Sequence, residues 1–538
     1  MKFLARVLPL LLLAGTCQAA TFNVTNTNAT GPGSLRQAML DLNAASGNVH
    51  VIEFQTGLSG TITPQFLSSP LPPINKSGVR ITGSGRDLVT LDLNSFQVLQ
   101  LTSPSGGLFI LEDINVVGGL GTRGGCLISE FGAVVIINRV RLANCTAAAS
   151  STERAEGGAI YTTGTTTIAD SVFEDNLASG GTLGGASGGA ISFQPGVSSR
   201  RLTVRRSRLA RNIARTESTN STHFVAGGAI AVIDNGALTL EQNAFVGNRV
   251  LAPTGPGSPD SIGGAVRALV SDAELDRNAF VGNEAAATGA AVALGARFPA
   301  DRPLLRLSNN LFQANDGRAS TTNGGAALNV NRATVRMRNS TFLFNTGGGG
   351  SNLAANLFMG GSVVLEAISN NVFDRPATGR SCGFQVSVPV PPVAAGGNNY
   401  FGDGSCTWLA GVGTQTSAPL FFTDTLQSVN LAPGVFAFTA LPLRNAVITD
   451  GGSTSVSASD FALCALDDIE GNPRPFDNNG NGVANCNAGA VEKNILFPQP
   501  NAATERRLRG LIEADIRLPQ LVPQVSERAR RAGPRLVQ

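Results

Sequence analysis

"GGAI" occupies residues 157–160 and returns at 188–191 and 227–230. Altered copies follow, namely "GGAV" at 263–266, "GAAV" at 289–292 and "GGAA" at 324–327. Counting a further glycine pair at 124, the starts are separated by 33, 31, 39, 36, 26 and 35 residues. A motif that returns at such a period, with spacers of variable length, indicates stacked supersecondary units.

A second landmark, Phe-x-x-Asn, follows most of these glycine pairs, and Leu209 replaces the phenylalanine once. The landmark residues are Phe173, Asn176, Asn212, Phe245, Asn248, Phe280, Asn283, Phe312, Asn315, Phe342 and Asn345. Two residues before each phenylalanine or leucine stands a serine or asparagine, namely Ser171, Ser207, Asn243, Asn278, Asn310 and Ser340. Alternating apolar residues precede them, as in 237–245 and 333–342, which predicts β-strands.

The repeats predict an all-β solenoid, because glycine pairs and Thr-, Val- and Asn-rich segments disfavour a helical one. Phenylalanines of successive coils would stack inside. The asparagines would sit at a bend, adopt left-handed backbone angles and bond the coils above and below. The glycine pair would mark one corner, where no Cβ fits. The spacers 216–222 and 251–260 are expected to project as loops from one edge, where binding usually occurs.

Composition excludes several classes of protein. Apolar residues make up 42% of the 538 residues, which is too many for a disordered chain. Charged residues make up 14%, and the net charge of +3 gives no reason to expect nucleic acid as a partner.

The first residues have the pattern of an export signal. Lys2 and Arg6 precede the apolar run 7–15, and small residues at 17–20 allow cleavage after Ala19. Thr16 precedes Cys17, which argues against a lipoprotein. We therefore predict a signal peptide over 1–19, an exported mature chain, and no transmembrane segment, since no later run of about 18 apolar residues exists.

Six cysteines remain after processing, in three sequential pairs 19, 24 and 22 residues apart: Cys126 and Cys145, Cys382 and Cys406, Cys464 and Cys486. An even count in an exported chain suggests disulfides, and local pairing is favoured among the possible connectivities. Buried free thiols are the alternative. A metal site is a weaker interpretation, because no CxxC and no nearby histidine accompanies them.

An N-terminal cap over 20–60 is predicted to cover the first coil, whose polar backbone would otherwise be exposed. Leu35, Met39 and Leu42 have helical spacing and Ser34 is a plausible N-cap, so a short helix is expected over about 34–45. The stretch 49–54 then begins a strand.

The opening "GSLRQAMLDLNA" (33–44) with "IEF" (52–54), the central repeats, and the ending "DIEGNPRPF…CNAGAVE" (468–492) together resemble the choice-of-anchor Q family of exported bacterial proteins. The central units also resemble polymorphic outer membrane protein repeats. The resemblance covers about 21–492 and implies a right-handed parallel β-helix like that of pectate lyases, at an extracellular or outer-membrane-associated location. It implies no settled activity.

Three further regions follow the cap. The repeats place the parallel β-helix at 61–375, and C-terminal coils with a cysteine-containing closing motif are expected over 376–492. The tail 493–538 is Arg-rich, with eight arginines against four acidic residues in 503–538. It is interpreted as a disordered tail or C-terminal cap, and docking to anionic lipid or polysaccharide is the alternative.

No catalytic residue is predicted. The chain has two histidines, His50 and His223, and neither has the context of a catalytic triad. The one Asp pair, 467–468, lies in the closing motif. The acidic residues within the repeats are interpreted as charges on the solvent face: Glu174, Asp175, Asp234, Glu241, Asp272, Glu274, Asp276, Asp301 and Asp316.

One stretch resembles the start of a calcium loop. In "DNNGNG" (477–482), Asp477, Asn479 and Asn481 would supply oxygen ligands, with Asp467 or Asp468 completing the shell. Ala488 stands where an EF-hand needs glutamate, so the alternative is a plain Asn/Gly-rich turn closed by Cys486. No other cofactor is predicted.

These observations predict a monomeric, adhesin-like surface or secreted protein that presents loops to a glycan or cell-surface component. The alternative is a polysaccharide lyase or glycoside hydrolase acting on acidic polysaccharide. A third interpretation is a passive envelope component. A groove with clustered Asp, Arg and Glu from successive coils would favour the enzyme, whereas a flat Asn/Thr/Ser face would favour binding.

Overall fold

The chain winds into a parallel β-helix, as the repeats predict. The computed structural model describes residues 19–492, apart from 66–69, 96–97, 103–106, 150–151, 183, 221, 254–259, 318–325, 348–353, 374–379, 386–392, 410–414, 417–426, 434, 440–451, 454 and 478–482. Strands of successive coils pair in parallel and form five stacks, which we call sheets 1 to 5. An antiparallel pair, Gln427–Ala432 with Val435–Thr439, follows them.

Sheets 1 and 2 join into one 21-stranded sheet. Sheet 1 contains Ala20–Val24, Val49–Phe54, Gly78–Thr82, Leu108–Glu112, Val134–Asn138, Thr166–Ala169, Arg201–Arg205, Leu304–Ser308, Thr334–Arg338, Val364–Ser369 and Val393–Gly397. Sheet 2 contains Leu99–Leu101, Leu127–Ser129, Ile160–Thr162, Ile191–Phe193, Val292–Gly295, Leu328–Asn331, Ala354–Gly360 and Arg380–Phe384. The long strands Ile230–Glu241 and Val266–Asp276 run through both sheets.

The other three sheets complete each coil. Sheet 3 contains Gly60–Ile62, Val89–Asp92, Asn115–Val117, Arg141–Ala143, Val172–Glu174, Arg208–Ala210, Ala244–Val246, Ala279–Val281, Leu311–Gln313, Thr341–Leu343, Val372–Phe373, Tyr400–Phe401 and Gln415–Thr416. Sheet 4 contains Leu120–Gly121, Thr146–Ala148, Leu177–Ser179, Ile213–Arg215, Arg249–Leu251 and Glu284–Ala285. Sheet 5 contains Ala155–Glu156, Ala186–Ser187, Phe224–Ala226 and Asp260–Ile262.

The phenylalanines of the repeat stack in one buried column on the inner side of sheet 3. Ring centroids of consecutive residues from Phe245 to Phe373 lie 4.6 to 5.0 Å apart, and the rings are nearly parallel. Leu209 takes the same place in register between Phe173 and Phe245. The column therefore supplies the large side chains of the continuous core.

The repeat asparagines form a ladder of buried amides at the bend after sheet 3. The Nδ2 of each donates to the Oδ1 of the next at 2.9 to 3.0 Å, along Asn176, Asn212, Asn248, Asn283, Asn315 and Asn345. The expected left-handed angles occur one residue earlier, with φ between 53° and 62° at Asp175, Arg211, Gly247, Gly282, Ala314 and Phe344. The prediction that the asparagines themselves adopt these angles is wrong. Asparagine recurs at this position because of the hydrogen bonds that its side-chain amide forms.

A second ladder precedes the phenylalanine column. The Oγ of Ser207 accepts from the backbone N–H of Ser171 at 3.1 Å. The ladder continues through Asn243, Asn278 and Asn310, whose side-chain amides are joined by hydrogen bonds of 3.0 and 3.1 Å. The serines and asparagines two residues before each phenylalanine thus link successive coils at the start of each short sheet 3 strand, as the repeat asparagines do at its end.

Different constraints require glycine at the two positions of each pair. The first has a left-handed backbone, with φ of 67° at Gly157 and 65° at Gly188. The second packs against the next coil, so that a Cβ on Gly158 would lie 2.0 Å from the carbonyl oxygen of Gly189. The predicted corner is therefore confirmed, and each glycine of the pair is required by the backbone.

The predicted helix covers the start of the coil. It spans Leu35–Ala44, and the Ser34 side chain accepts a hydrogen bond from the Gln37 backbone N–H. Leu35, Ala38, Met39 and Leu42 are its buried residues. A strand that the sequence did not predict, Ala20–Val24, precedes the helix and pairs with Val49–Phe54.

The cysteines pair locally, as predicted: Cys126 with Cys145, Cys382 with Cys406, and Cys464 with Cys486. The predicted loop segments 216–222 and 251–260 follow the sheet 4 strands Ile213–Arg215 and Arg249–Leu251, and residues 221 and 254–259 lie outside the described residues.

The closing motif folds back along the outside of sheet 3. Its Ile469 and Ala490 pack against Leu343 and Val372. Inside the motif, buried Arg474 pairs with Glu492 at 2.8 Å. The motif is thus a compact unit attached to the flank of the coil.

Candidate functional site

Two cavities open on the outer faces of sheets 1 and 2. Both include residues of the strand Val266–Asp276 and of the coils that follow it. The first, which we call the charged groove, has a volume of about 460 Å³. It is lined by Glu274, Asp276, Arg306, Ser308, Asn309, Arg336 and Arg338 on one side and by Ala458, Ser459, Phe461, Ala465, Leu466 and Asp467 on the other. Sheet 1 thus forms one wall, and the stretch from Ala458 to Asp467, which we call the C-terminal segment, forms the other.

Strand alternation places charged residues of successive coils side by side in this groove. Glu274 is in register with Arg306, and Arg306 with Arg336. Their neighbours Leu275 and Leu307 point inward to the core. Arg336 is paired with Glu366 at 2.6 Å.

Arg338 fixes the second wall. Its guanidinium donates to the carbonyl oxygens of Ser457 at 2.6 Å and Ala458 at 3.0 Å, and it lies 4.4 Å from the ring centre of Phe461. Arg338, which comes from the coil, therefore helps to hold this segment in place.

Three carboxylates surround Arg277 beside one end of the groove, and two of them, Asp276 and Asp467, line it. The guanidinium contacts Asp276 at 2.9 Å, Asp467 at 3.1 Å and Glu241 at 3.2 Å. Burial raises the pKa of Asp276 to about 6, against the opposing effect of Arg277 and with smaller contributions from Asp467 and Glu241. Its side chain still keeps 27% of its surface exposed. Asp276 is therefore a titratable carboxyl that faces the groove.

Several polar groups in the charged groove lack partners. The side chains of Glu274 and Arg306 form no hydrogen bond or ion pair with any residue that the structure describes. The Oδ1 of Asn309 is buried and likewise accepts no hydrogen bond from the described part of the chain. The side chains of Glu274 and Arg306 line the groove and are available to a ligand.

The second cavity, which we call the arginine pocket, has a volume of about 350 Å³ on the outer face of sheet 2. Its central column in register is Arg267, Ala293, Asn329 and Phe358. Gly295, Asn331, Arg332, Gly360 and Gln385 lie around this column. The small residues at Ala293 and Gly295 create the depression.

Away from the cavities, the solvent-face interpretation holds for several acidic residues, which pair with arginines of neighbouring coils. Asp175 contacts Arg211 at 2.7 Å and Glu174 contacts Arg141 at 2.6 Å. Glu241 and Asp276 differ, because they lie around Arg277 beside the groove.

The two histidines contact neighbouring groups of their own segments. His50 is buried in strand Val49–Phe54, and its Nε2 lies 3.2 Å from the Gly47 carbonyl oxygen. The Nδ1 of His223 lies 2.8 Å from the Ser218 hydroxyl. Neither histidine lines either cavity.

The calcium prediction falls largely on the segment 478–482, so Asn479 and Asn481 lie outside the described residues, whereas Asp477 lies within them. Asp468 accepts hydrogen bonds from the backbone N–H groups of Glu470 and Glu492 and from Asn472. In the described part of the chain, no group of three or more His, Cys, Asp or Glu residues could hold a metal ion. Calcium binding stays a prediction.

Arg267, Asn309 and Asn329 were not predicted as site residues. An alignment of the repeats could have singled out Arg267, since the residue after "GGA[I/V]" is Tyr161, Ser192 and Ala231 in earlier coils. That position points outward and changes chemistry from coil to coil, which is typical of a surface that is free to vary.

Within the described residues, no helix is both long enough and apolar enough to span a bilayer. Compared with models of protein families, the chain matches none, and no curated protein matches it. The resemblance to the choice-of-anchor Q family therefore stays a prediction.

Proposed function

We propose that this protein is an exported interaction protein, secreted or held at the cell surface, that binds an extracellular polysaccharide in the charged groove. The observation that carries the proposal is the set of unpaired polar groups in the groove, Glu274, Arg306 and Asn309. Glu274 is exposed and Arg306 is half-buried, so water hydrates both in the free protein, and a ligand in this concave site can replace that water with its own hydrogen bonds.

A polysaccharide fits the chemistry of these groups. Sugar hydroxyls both donate and accept hydrogen bonds, and the groove offers an acceptor at Glu274 and a donor at Arg306. Equivalent residues of successive coils are spaced about 4.8 Å apart, so the groove presents charged side chains at regular intervals along the axis of the coil. A linear polymer can use such repetition better than a small molecule can.

Polysaccharide cleavage is a second candidate function, favoured by Asp276. A general acid or base works best when its pKa is near the working pH, and burial raises the pKa of this carboxyl to about 6. Charged residues from successive coils also cluster in the groove, which is the feature that favours an enzyme. Hydrolysis needs a second carboxylate, and Asp467 and Glu241 share Arg277 with Asp276.

The test uses the purified mature chain, residues 20–538, on immobilised acidic and neutral polysaccharides. Retention is recorded together with absorbance at about 235 nm and the release of reducing ends, which report lyase and hydrolase chemistry. The groove variant is Glu274→Ala with Arg306→Ala. Its matched control is Glu53→Ala with Arg80→Ala, at other outward positions of sheet 1.

Retention that only the groove variant loses would support the binding proposal. Cleavage that Asp276→Asn abolishes would support the enzyme instead. If the wild-type chain neither retains nor cleaves any of these polysaccharides, both proposals fail.

A further inference from the structure

We infer that the arginine pocket is a second binding site, which takes an anionic sugar unit, carboxylated or sulfated, of the bound polysaccharide. The inference rests on the proposed function for the class of ligand, but on a different cavity and different residues. Its ligand chemistry follows from one arginine, one asparagine and one aromatic ring.

Arg267 supplies the charge. Its Nη1 donates a hydrogen bond to the Ala268 carbonyl oxygen at 3.3 Å, and no carboxylate of the described residues lies within ion-pair distance. Burial lowers its pKa to about 10, with no acidic neighbour to oppose the effect.

Arginines elsewhere on the coil show what is missing at this position. Arg139, Arg206 and Arg211 each place a guanidinium against a carboxylate at 2.6 to 2.7 Å. A guanidinium removed from water without such a partner is costly. A sugar carboxylate or sulfate would supply the missing counter-charge through two parallel hydrogen bonds.

Asn329 is an independent sign of a ligand. It lies two register positions along from Arg267, lines the pocket, and is only 6% exposed. Its side-chain amide has no hydrogen-bond partner among the residues that the structure describes. An amide in this position can both donate to and accept from sugar hydroxyls.

Phe358 closes the far side of the pocket. It follows Asn329 in register and is 7% exposed. Three coil steps separate it from Arg267, which corresponds to roughly 14 Å between backbone positions. The exposed part of the ring lines the pocket and can contact the apolar side of a pyranose, while the arginine holds an acidic group at the other end.

Isothermal titration calorimetry of the mature chain tests the pocket. The probes are an oligogalacturonate, a sulfated oligosaccharide and a neutral oligosaccharide of the same length. We expect the chain to bind an anionic probe at least tenfold more tightly than the neutral one, and the affinity to fall as salt rises. The stronger of the two anionic probes identifies the acidic group.

The variants separate charge from geometry. Arg267→Gln should lower the affinity at least tenfold, and Arg267→Lys should recover only part of it, because lysine cannot form the bidentate pair. Asn329→Ala should lower it several-fold. Arg205→Gln, an exposed arginine on sheet 1, is the matched control and should bind like wild type. Circular dichroism should show that Arg267→Gln melts no lower than wild type, since it removes an unpaired charge.

The two proposals fail separately. If Arg267→Gln binds every probe like wild type, or if wild type does not prefer an anionic probe, the pocket inference is overturned and retention by the charged groove still stands. If the groove variant loses polysaccharide retention but keeps the Arg267-dependent titration, both sites are supported. Binding of neither anionic probe at millimolar concentration would also overturn the inference.

Discussion

Two sets of buried asparagines in this molecule differ in what their amides contact. In the ladder, Asn248 is fully buried, accepts from the Nδ2 of Asn212 at 2.9 Å and donates to Asn283 at 3.0 Å. At the cavities, Asn309 and Asn329 are almost as buried, yet part of each amide has no partner among the described residues. The first arrangement stabilises the coil, whereas the second leaves polar groups for something outside the chain.

The same contrast separates inward from outward positions. Inward columns repeat, because each side chain must fit the one below it, as the phenylalanine column shows. The outward column of sheet 2 changes from Arg267 to Ala293, Asn329 and Phe358. The coil therefore fixes its interior and leaves its outer faces free to acquire binding sites.

The largest effect is expected inside the phenylalanine column. Phe280→Ala removes a ring that stacks on both neighbours, and we expect a loss of about 3 to 5 kcal/mol in the free energy of unfolding. Phe280→Leu should lose much less, since Leu209 already occupies this column. Denaturant unfolding of both variants measures the difference, and equal losses would contradict the stacking account.

Glycine substitutions test the close approach between coils. Gly158→Ala places a Cβ 2.0 Å from a carbonyl oxygen of the next coil, so we expect a loss of about 3 kcal/mol in stability. Gly196→Ala is the control, because its Cβ would meet nothing within 4 Å and only its left-handed backbone opposes alanine, at about 1 kcal/mol. Thermal melting ranks the pair, and a reversed rank would show that the corner adapts.

The two kinds of asparagine can be compared directly. Asn248→Ala removes the side chain that accepts from the buried Asn212 backbone N–H and donates to the Leu209 carbonyl oxygen, so we expect a loss of about 2 kcal/mol in the free energy of unfolding. Asn329→Ala removes an amide without described partners, and its stability should stay within about 0.5 kcal/mol of wild type. If both variants lose the same stability, the distinction between ladder and cavity asparagines is wrong.

The smallest effect concerns the charged groove and pH. The pKa of Asp276 in the folded protein, about 6, lies above its ordinary value of 3.8, so folding favours the protonated carboxyl. Its stabilising contribution is complete below pH 3.8 and is lost as the pH rises through about 6. Asp276→Asn should therefore gain on the order of 1 kcal/mol over wild type between pH 4 and pH 7. Paired denaturation curves across this range would contradict the assignment if the difference stayed constant.

Much of the coil could be predicted because its constraints repeat at fixed offsets. Phe280 and Asn283 are three residues apart in every copy of their motif, and each offset corresponds to one inward position and one bend. The capping helix carried its own local pattern in Ser34, Leu35 and Met39. The strand Ala20–Val24 had no such repeat to reveal it.

The cavities could not be predicted, because they depend on contacts between distant segments. Arg277 and Asp467 are 190 residues apart in the sequence. They are in contact because the C-terminal segment folds back along the coil. Asp276 therefore looked like an ordinary surface charge. Arg267 and Asn329 come together through register across two coil steps, which insertions between strands obscure in the sequence.

The returning C-terminal segment has a mechanical consequence. Arg277 holds Asp467, Arg338 holds the carbonyls of 457 and 458, and the Asn370 carbonyl accepts from the Gly489 backbone N–H. These attachments span the coils from Arg277 to Asn370, alongside the hydrogen bonds between the coils. A force that pulls those coils apart would therefore load the segment as a strap, and its arginine contacts would have to break before the coils between them could separate.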